Sequence, residues 1–249
     1  MKVRWIAGLL MLLCINPDEP KAQGSIDTAH TFTERMRIKG ISKNDAKRKA
    51  YESVEALRDG LLLVRLKTNA KKLAAYRIAY LRATTDKVRK QMEDLIKSTI
   101  KKRDINNREI VKTFKRSFHF CRVAFFIDTS TATLMDGRLK ILIVDTTLIP
   151  KVTFNPIQEF YLIAEFGLAD ADSYDSKSIA KNGKGAAKPQ PDPNAKGLVV
   201  RDPDMIQMPR PFPYFAREEI GFTGKSKERM VIRLNLDLYK LHGKAMNLK

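Results

Sequence analysis

Leu61-Leu62-Leu63-Val64-Arg65-Leu66 is an apolar run broken by a single cation, and it follows the turn signal Asp59-Gly60. A short continuous run bounded in this way reads as a strand buried on both faces, although periodicity alone also allows a helical continuation. Upstream, the pattern predicts a helix that opens after Ser42 or Asn44 and runs to Arg58, with Gly60 stopping it as a left-handed C-terminal glycine. Downstream, Thr68 or Asn69 can cap a long helix. Its apolar positions Leu73, Tyr76, Tyr80, Leu81, Val88, Met92, Leu95, Ile96 and Ile100 recur every three or four residues and predict a core-facing stripe, with Thr84-Thr85-Asp86 as a possible interruption. Asn106 with Glu109 resembles a capping box for a further helix to Ser117.

The pattern then turns to β. Strands are expected at 121–127, at 139–144 after the Asp136-Gly137 turn, at 159–165, and from Gly197 to Arg201. A strand at 61–66, a helical crossover of about 50 residues and a strand at 121–127 make a βαβ unit, which sets the two strands parallel. Residues 169–196, rich in Asp, Ser, Lys, Gly and Pro, are expected to be a disordered excursion. Met230, Val231, Leu234, Leu238 and Leu241 mark a C-terminal amphipathic helix opening near Ser226. The expected product is a single α/β or α+β domain over 43–249, with about five strands in a mixed sheet packed against long amphipathic helices.

The chain has 249 residues and 28.4 kDa, with 47 Lys plus Arg against 28 Asp plus Glu, a net charge of +19. Residues 25–118 hold 25 basic and 11 acidic side chains, and residues 119–249 hold 19 and 15, so the excess lies on the helical half. Such a face offers a positive field to a polyanion, whether lipid headgroups, envelope polysaccharide or nucleic acid; the alternative is a merely solvated helix surface. Nucleic acid is disfavoured because Tyr76 and Tyr80 fall on the apolar stripe and no known nucleic-acid motif occurs.

No Walker loop, GxGxxG, GxSxG, HExxH or paired CxxC is present. The sequence therefore assigns no catalytic, cofactor-binding or metal-binding residue, and no cofactor. Two cysteines exclude a disulfide-stapled scaffold, and three histidines leave little material for zinc. His119 and Cys121 could form a thiol–imidazole pair, but a small buried hydrophobe explains Cys121 more simply. A rare hydrolase or transferase site would need several of Arg65, Lys67, His119, Asp128, Asp145 and Glu165 in one cleft at the carboxyl edge of the sheet. Against that stands the ordinary use of Asp128 and Asp145 to begin turns. In Pro209-Arg210-Pro211-Phe212-Pro213-Tyr214-Phe215, alternate prolines force an extended or turned backbone. The aromatics there either form a docking ledge or, as expected, cover one edge of the core.

At the start, Lys2 and Arg4 precede an apolar stretch from Trp5 to Ile15, and Ala22-Gln23-Gly24 fits a small-x-small cleavage pattern. Residues 1–24 are therefore expected to be a signal peptide, followed by a flexible arm over 25–42, and the mature protein to reside in the periplasm, the cell envelope or the extracellular space. Cys14 either carries a lipid anchor or, with Leu13 before it, is removed with the apolar run.

The blocks 59–68 with Lys71-Lys72, 118–126 (Phe118-His119-Phe120-Cys121-Arg122-Val123-Ala124-Phe125-Phe126), 159–165 and Arg210-Pro211-Phe212-Pro213-Tyr214 together resemble a family of small exported proteins of Bacteroidetes. Arg122 departs from the family pattern, where proline tends to follow the cysteine. The resemblance implies export and a single domain, and carries no catalytic residues. The functional expectation is a non-enzymatic periplasmic or envelope binding or accessory protein with a basic helical face.

Overall fold

The computed structural model describes residues 43–136, 141–144, 148–155, 158–169, 196–218 and 226–247. The expected signal peptide and arm, Cys14, Asp145 and the bulk of the expected 169–196 excursion lie outside the described residues. In chain order the described elements are α1 (Lys43–Asp59), β1 (Leu61–Leu66), α2 (Ala70–Arg82), α3 (Asp86–Ser117), β2 (Arg122–Ile127), a 3-10 turn Asp128–Ser130, α4 (Thr131–Met135), β3 (Ile141–Val144), β4 (Pro150–Phe154), β5 (Tyr161–Leu168), β6 (Lys196–Arg201), β7 (Phe215–Arg217) and α5 (Ser226–Met246). This is an α/β fold with a mixed sheet in the order β4-β3-β2-β1-β5-β6-β7.

The run at 61–66 is the middle strand, parallel to β2 on one side and β5 on the other. Antiparallel strands flank this parallel centre: β3 and β4 beyond β2, β6 and β7 beyond β5. All five strands predicted from sequence are present. The two additional ones, β4 and β7, sit at the sheet's outer edges, where a strand needs only one pairing neighbour. β4 opens on Pro150, which an edge tolerates, and β7 is three residues long, too short to show as a hydrophobic pattern.

Both faces of β1 are covered, which is why its residues read as a continuous apolar run. Leu62, Val64 and Leu66 share a large core with Ala50, Val54 and Leu57 of α1, Ile110, Val111 and Phe114 of α3, and Met230, Val231, Leu234, Leu238 and Leu241 of α5. The C-terminal stripe thus packs as its spacing predicts. Leu61 and Leu63 point the other way, into a smaller cluster with Phe126, Leu134 of α4, Phe154, Tyr161 and Ile163.

Local readings fared unevenly. Gly60 does end α1, but not in the left-handed conformation; it is required because a Cβ there would lie 2.5 Å from the Phe160 carbonyl oxygen and 2.9 Å from that of Ala56. Asn69 precedes α2 with a left-handed φ of 56° and gives no side-chain cap; Thr68 Oγ1 accepts the Ala70 N–H at 3.3 Å instead. The break at 83–85 is real, and Thr85 caps α3 by accepting the Val88 N–H. No break occurs at Asn106: α3 runs unbroken from Asp86 to Ser117, because Asn107 is buried and its side-chain amide donates to the Lys67 carbonyl at 2.9 Å, docking the helix on the end of β1.

The triple-proline segment covers the core rather than offering a ledge. Phe212 and Tyr214 are buried, and the main chain on either side pairs with β6 through Met208 N–H to Val200 O at 3.1 Å and Val200 N–H to Tyr214 O at 2.7 Å. Arg210 stays exposed, its Nε donating to the Tyr214 hydroxyl at 3.1 Å.

Candidate functional site

Among the described residues, those proposed for chemistry do not gather in one cleft. His119 sits at the amino end of β2, where Asn235 Oδ1 of α5 accepts both the His119 and Phe120 N–H groups, at 2.8 and 3.0 Å. Its Nε2 donates to the Arg116 carbonyl at 3.0 Å, so the imidazole is turned back on α3. Arg58 holds the same corner, donating to the Phe120 carbonyl with its guanidinium over the Phe120 and Tyr239 rings. Cys121 is largely buried beside this corner, and burial pushes its thiol up to about 12. A group that stays a thiol at neutral pH is no nucleophile. Alkylation mapped to Cys121 in the native protein at pH 8 is therefore expected to be about a hundredfold slower or more than after unfolding; equal rates would show an accessible thiolate.

At the carboxyl edge two of the expected groups do meet. Register places Arg65 of β1 directly beside Glu165 of β5, on the face of the smaller cluster. Arg65 Nη1 donates to Glu165 Oε2 at 2.7 Å, and Arg201 of β6 donates from Nε to Oε1 at 2.8 Å. Arg201, which sequence reading overlooked, also donates to the Met205 carbonyl at 3.0 Å. Burial alone would raise the Glu165 carboxyl, but the Arg65 hydrogen bond and the two guanidinium charges outweigh it and hold it below the usual carboxylate range. Each carboxylate oxygen is occupied by an arginine, which marks Glu165 as the tie between three strands rather than as a general base. Asp128 is committed as well: it accepts both the Thr68 N–H, at 3.0 Å, and the Thr68 hydroxyl, closing the β1 exit onto β2. Lys67 is exposed and offers only its backbone carbonyl to this corner.

An open cleft of about 690 Å³ lies at the opposite, amino edge of the parallel strands, lined by Asp59, Arg122, Thr153, Asn155, Gln158 and Glu159 among others. An Arg122–Glu159 ion pair lies among its lining residues. Among the described residues, no group of three or more His, Cys, Asp or Glu side chains is placed to hold a metal ion.

The larger feature is the hairpin of α2 and the first half of α3. Helix α2 packs principally on α3, and α3 reaches the core only in its second half, through Ile110, Val111 and Phe114. The apolar stripe predicted to face the core therefore faces only the partner helix. Leu73 is buried, but Tyr76, Met92, Leu95, Ile96 and Ile100 are half-buried and Tyr80 is 38% exposed. Two helices alone cannot seal a stripe this wide, and among the described residues no third layer closes over it. Tyr80 is accordingly a surface residue, and the half-buried Tyr76 carries Lys72 over its ring.

Residues 70–105 carry 11 basic and 4 acidic side chains. The closed end is well fixed: Arg89 Nε donates to the Ala83 carbonyl at 3.2 Å, and the Ala83 N–H to the Tyr80 carbonyl at 3.3 Å. Around it Ile78, Leu81 and Val88 are 50%, 79% and 40% exposed. Arg77, Arg82, Lys87 and Lys90 stand exposed among them, and none forms an ion pair with another described residue.

No family model, curated protein or solved structure matches this chain. Its own side chains are what speak to function, and the cationic hairpin carries 11 basic against 4 acidic side chains over residues 70–105. No helix among the described residues is long and apolar enough to cross a membrane.

Proposed function

We propose that this is an exported, envelope-associated binding or accessory protein that engages an anionic partner through the α2–α3 hairpin, with residues 1–24 serving as its signal peptide. The observation that carries the reading is the four exposed cations Arg77, Arg82, Lys87 and Lys90, none in an ion pair with a described carboxylate, on an arm where basic side chains outnumber acidic ones 11 to 4. A purely solvated face gains solubility from mixed charges, whereas an uncompensated cluster on one arm destabilises the fold by self-repulsion unless something anionic meets it. The thirteen residues of α2 make that arm about 20 Å long at about 1.5 Å per residue, enough to set the cluster well away from the sheet.

The test is retention on a polyanionic resin such as heparin. The protein is expected to bind at low ionic strength and elute with salt, and the variant R77E/R82E/K87E/K90E to pass through. Flow-through of the unaltered protein, or elution indifferent to salt, would remove the reading. Cell fractionation checks the location. A mature product beginning near Ser25 outside the cytosol is expected, and an intact chain in the cytosol would contradict it.

A further inference from the structure

The geometry points to a specific partner: we infer that the closed end of the α2–α3 hairpin docks on an anionic lipid bilayer, seating Ile78, Leu81 and Val88 among the acyl chains' outer segments. This rests on the reading that the hairpin binds polyanions, and it names which one. A polyanion made of nucleic acid or polysaccharide is met by cations and, for bases, by flat aromatic platforms. The hairpin's end presents something different. Its most exposed apolar groups are aliphatic, Leu81 at 79% and Ile78 at 50%, and they occupy i and i+3 positions of α2, one above the other on a single face. Val88 lies just across the turn at 83–85, on the first coil of α3.

Arg77 and Arg82 border Ile78 and Leu81 on α2, while Lys87 and Lys90 border Val88 on α3. Apolar tips ringed by long cationic side chains suit an interface in which the aliphatics leave water and the cations meet headgroup phosphates. In a soluble arm the same arrangement is a liability, since large branched side chains at 79% and 50% exposure lose solvation energy for no packing gain. The aromatic content tells the same way: Tyr80 is only 38% exposed and the face of Tyr76 is taken by Lys72. Insertion of this kind is shallow and reversible, and it leaves the sheet domain on the aqueous side.

Co-sedimentation with vesicles tests the inference. Phosphatidylcholine vesicles containing a third phosphatidylglycerol are expected to pellet the protein, and pure phosphatidylcholine vesicles to leave it in solution. Replacing two aliphatics in I78Q/L81Q keeps helix propensity and touches side chains that are half or more exposed, so the variant is expected to fold as the parent does, which circular dichroism verifies. Its partition onto the anionic vesicles is expected to fall about tenfold while its salt elution from heparin stays unchanged. Each single neutralisation to Gln among Arg77, Arg82, Lys87 and Lys90 lowers vesicle partition about fivefold and lowers heparin retention too. Vesicle binding by I78Q/L81Q equal to that of the parent would overturn the insertion. Binding to a short DNA duplex with none to anionic vesicles would overturn the lipid assignment while leaving the polyanion reading intact. Failure on heparin, duplex and vesicles alike would remove both.

Discussion

Glu165→Gln is expected to destabilise the folded state by about 3 kcal/mol at neutral pH, the lower end of the range for breaking a buried ion pair. Glu165 is 13% exposed and satisfies two guanidinium groups at once, one from the middle strand and one from β6. Glutamine keeps the length but offers a single oxygen, and its amide N–H₂ would face one of the arginines. The lower end applies because Arg65 retains 27% exposure and can recover some hydration. The effect carries a pH signature. Arginine contacts hold the Glu165 carboxyl below its ordinary value, so its contribution is present in full above that value and is lost as pH falls through the depressed one. Urea unfolding should therefore show the gap between parent and E165Q wide at pH 7 and narrowing below the usual glutamate range of about 4. A gap that is small at pH 7, or that widens in acid, would mean the arginines are held by something else.

Phe114→Ala should cost about as much or more, about 3–5 kcal/mol, for a different reason. Phe114 is fully buried where α3 meets the sheet, with Phe118, Phe125 and Phe166 rings at 5.8, 6.4 and 6.3 Å, the last two edge-on. These neighbours hang from a helix end and two different strands, so none can collapse into the space without moving an element. The cavity then persists, and its cost adds to the lost transfer energy. Equilibrium unfolding should register the loss with little change in denaturant slope. A loss under about 1.5 kcal/mol, the range of a conservative swap, would show that the layer between α3 and β2 relaxes freely.

The two variants separate the domain from its arm. Both act on the sheet and its helical cover, and neither touches the α2–α3 hairpin, so polyanion binding measured on the folded fraction should be unaffected by either. The hairpin variants should do the reverse, changing retention and vesicle partition while leaving the unfolding midpoint in place.

Much of the frame was legible in the residues. Leu61 to Leu66 announces a strand covered on both faces because it has no polar alternation, and Met230 to Leu241 announces a helix with one buried side because its spacing admits little else. The interruption at Thr84-Thr85-Asp86 shows as a polar break in the stripe, and the structure makes Thr85 the cap of α3. These are signals within a turn or two of chain, where backbone geometry and side-chain period act directly.

What stayed hidden depends on what lies opposite. An amphipathic stripe looks identical whether a sheet covers it or only one other helix does, so Leu73 to Ile100 read as core while Leu81 stands in water. Arg65, Glu165 and Arg201 are 100 and 36 residues apart along the chain, and only strand order and register set them side by side. Sequence alone indicated the five inner strands, the principal helices and where the positive charge accumulates. It did not show the edge strands β4 and β7, the short helix α4 or the unbroken run of α3. Tertiary structure decided which faces find a cover, because burial is a property of two surfaces and a sequence displays them one at a time.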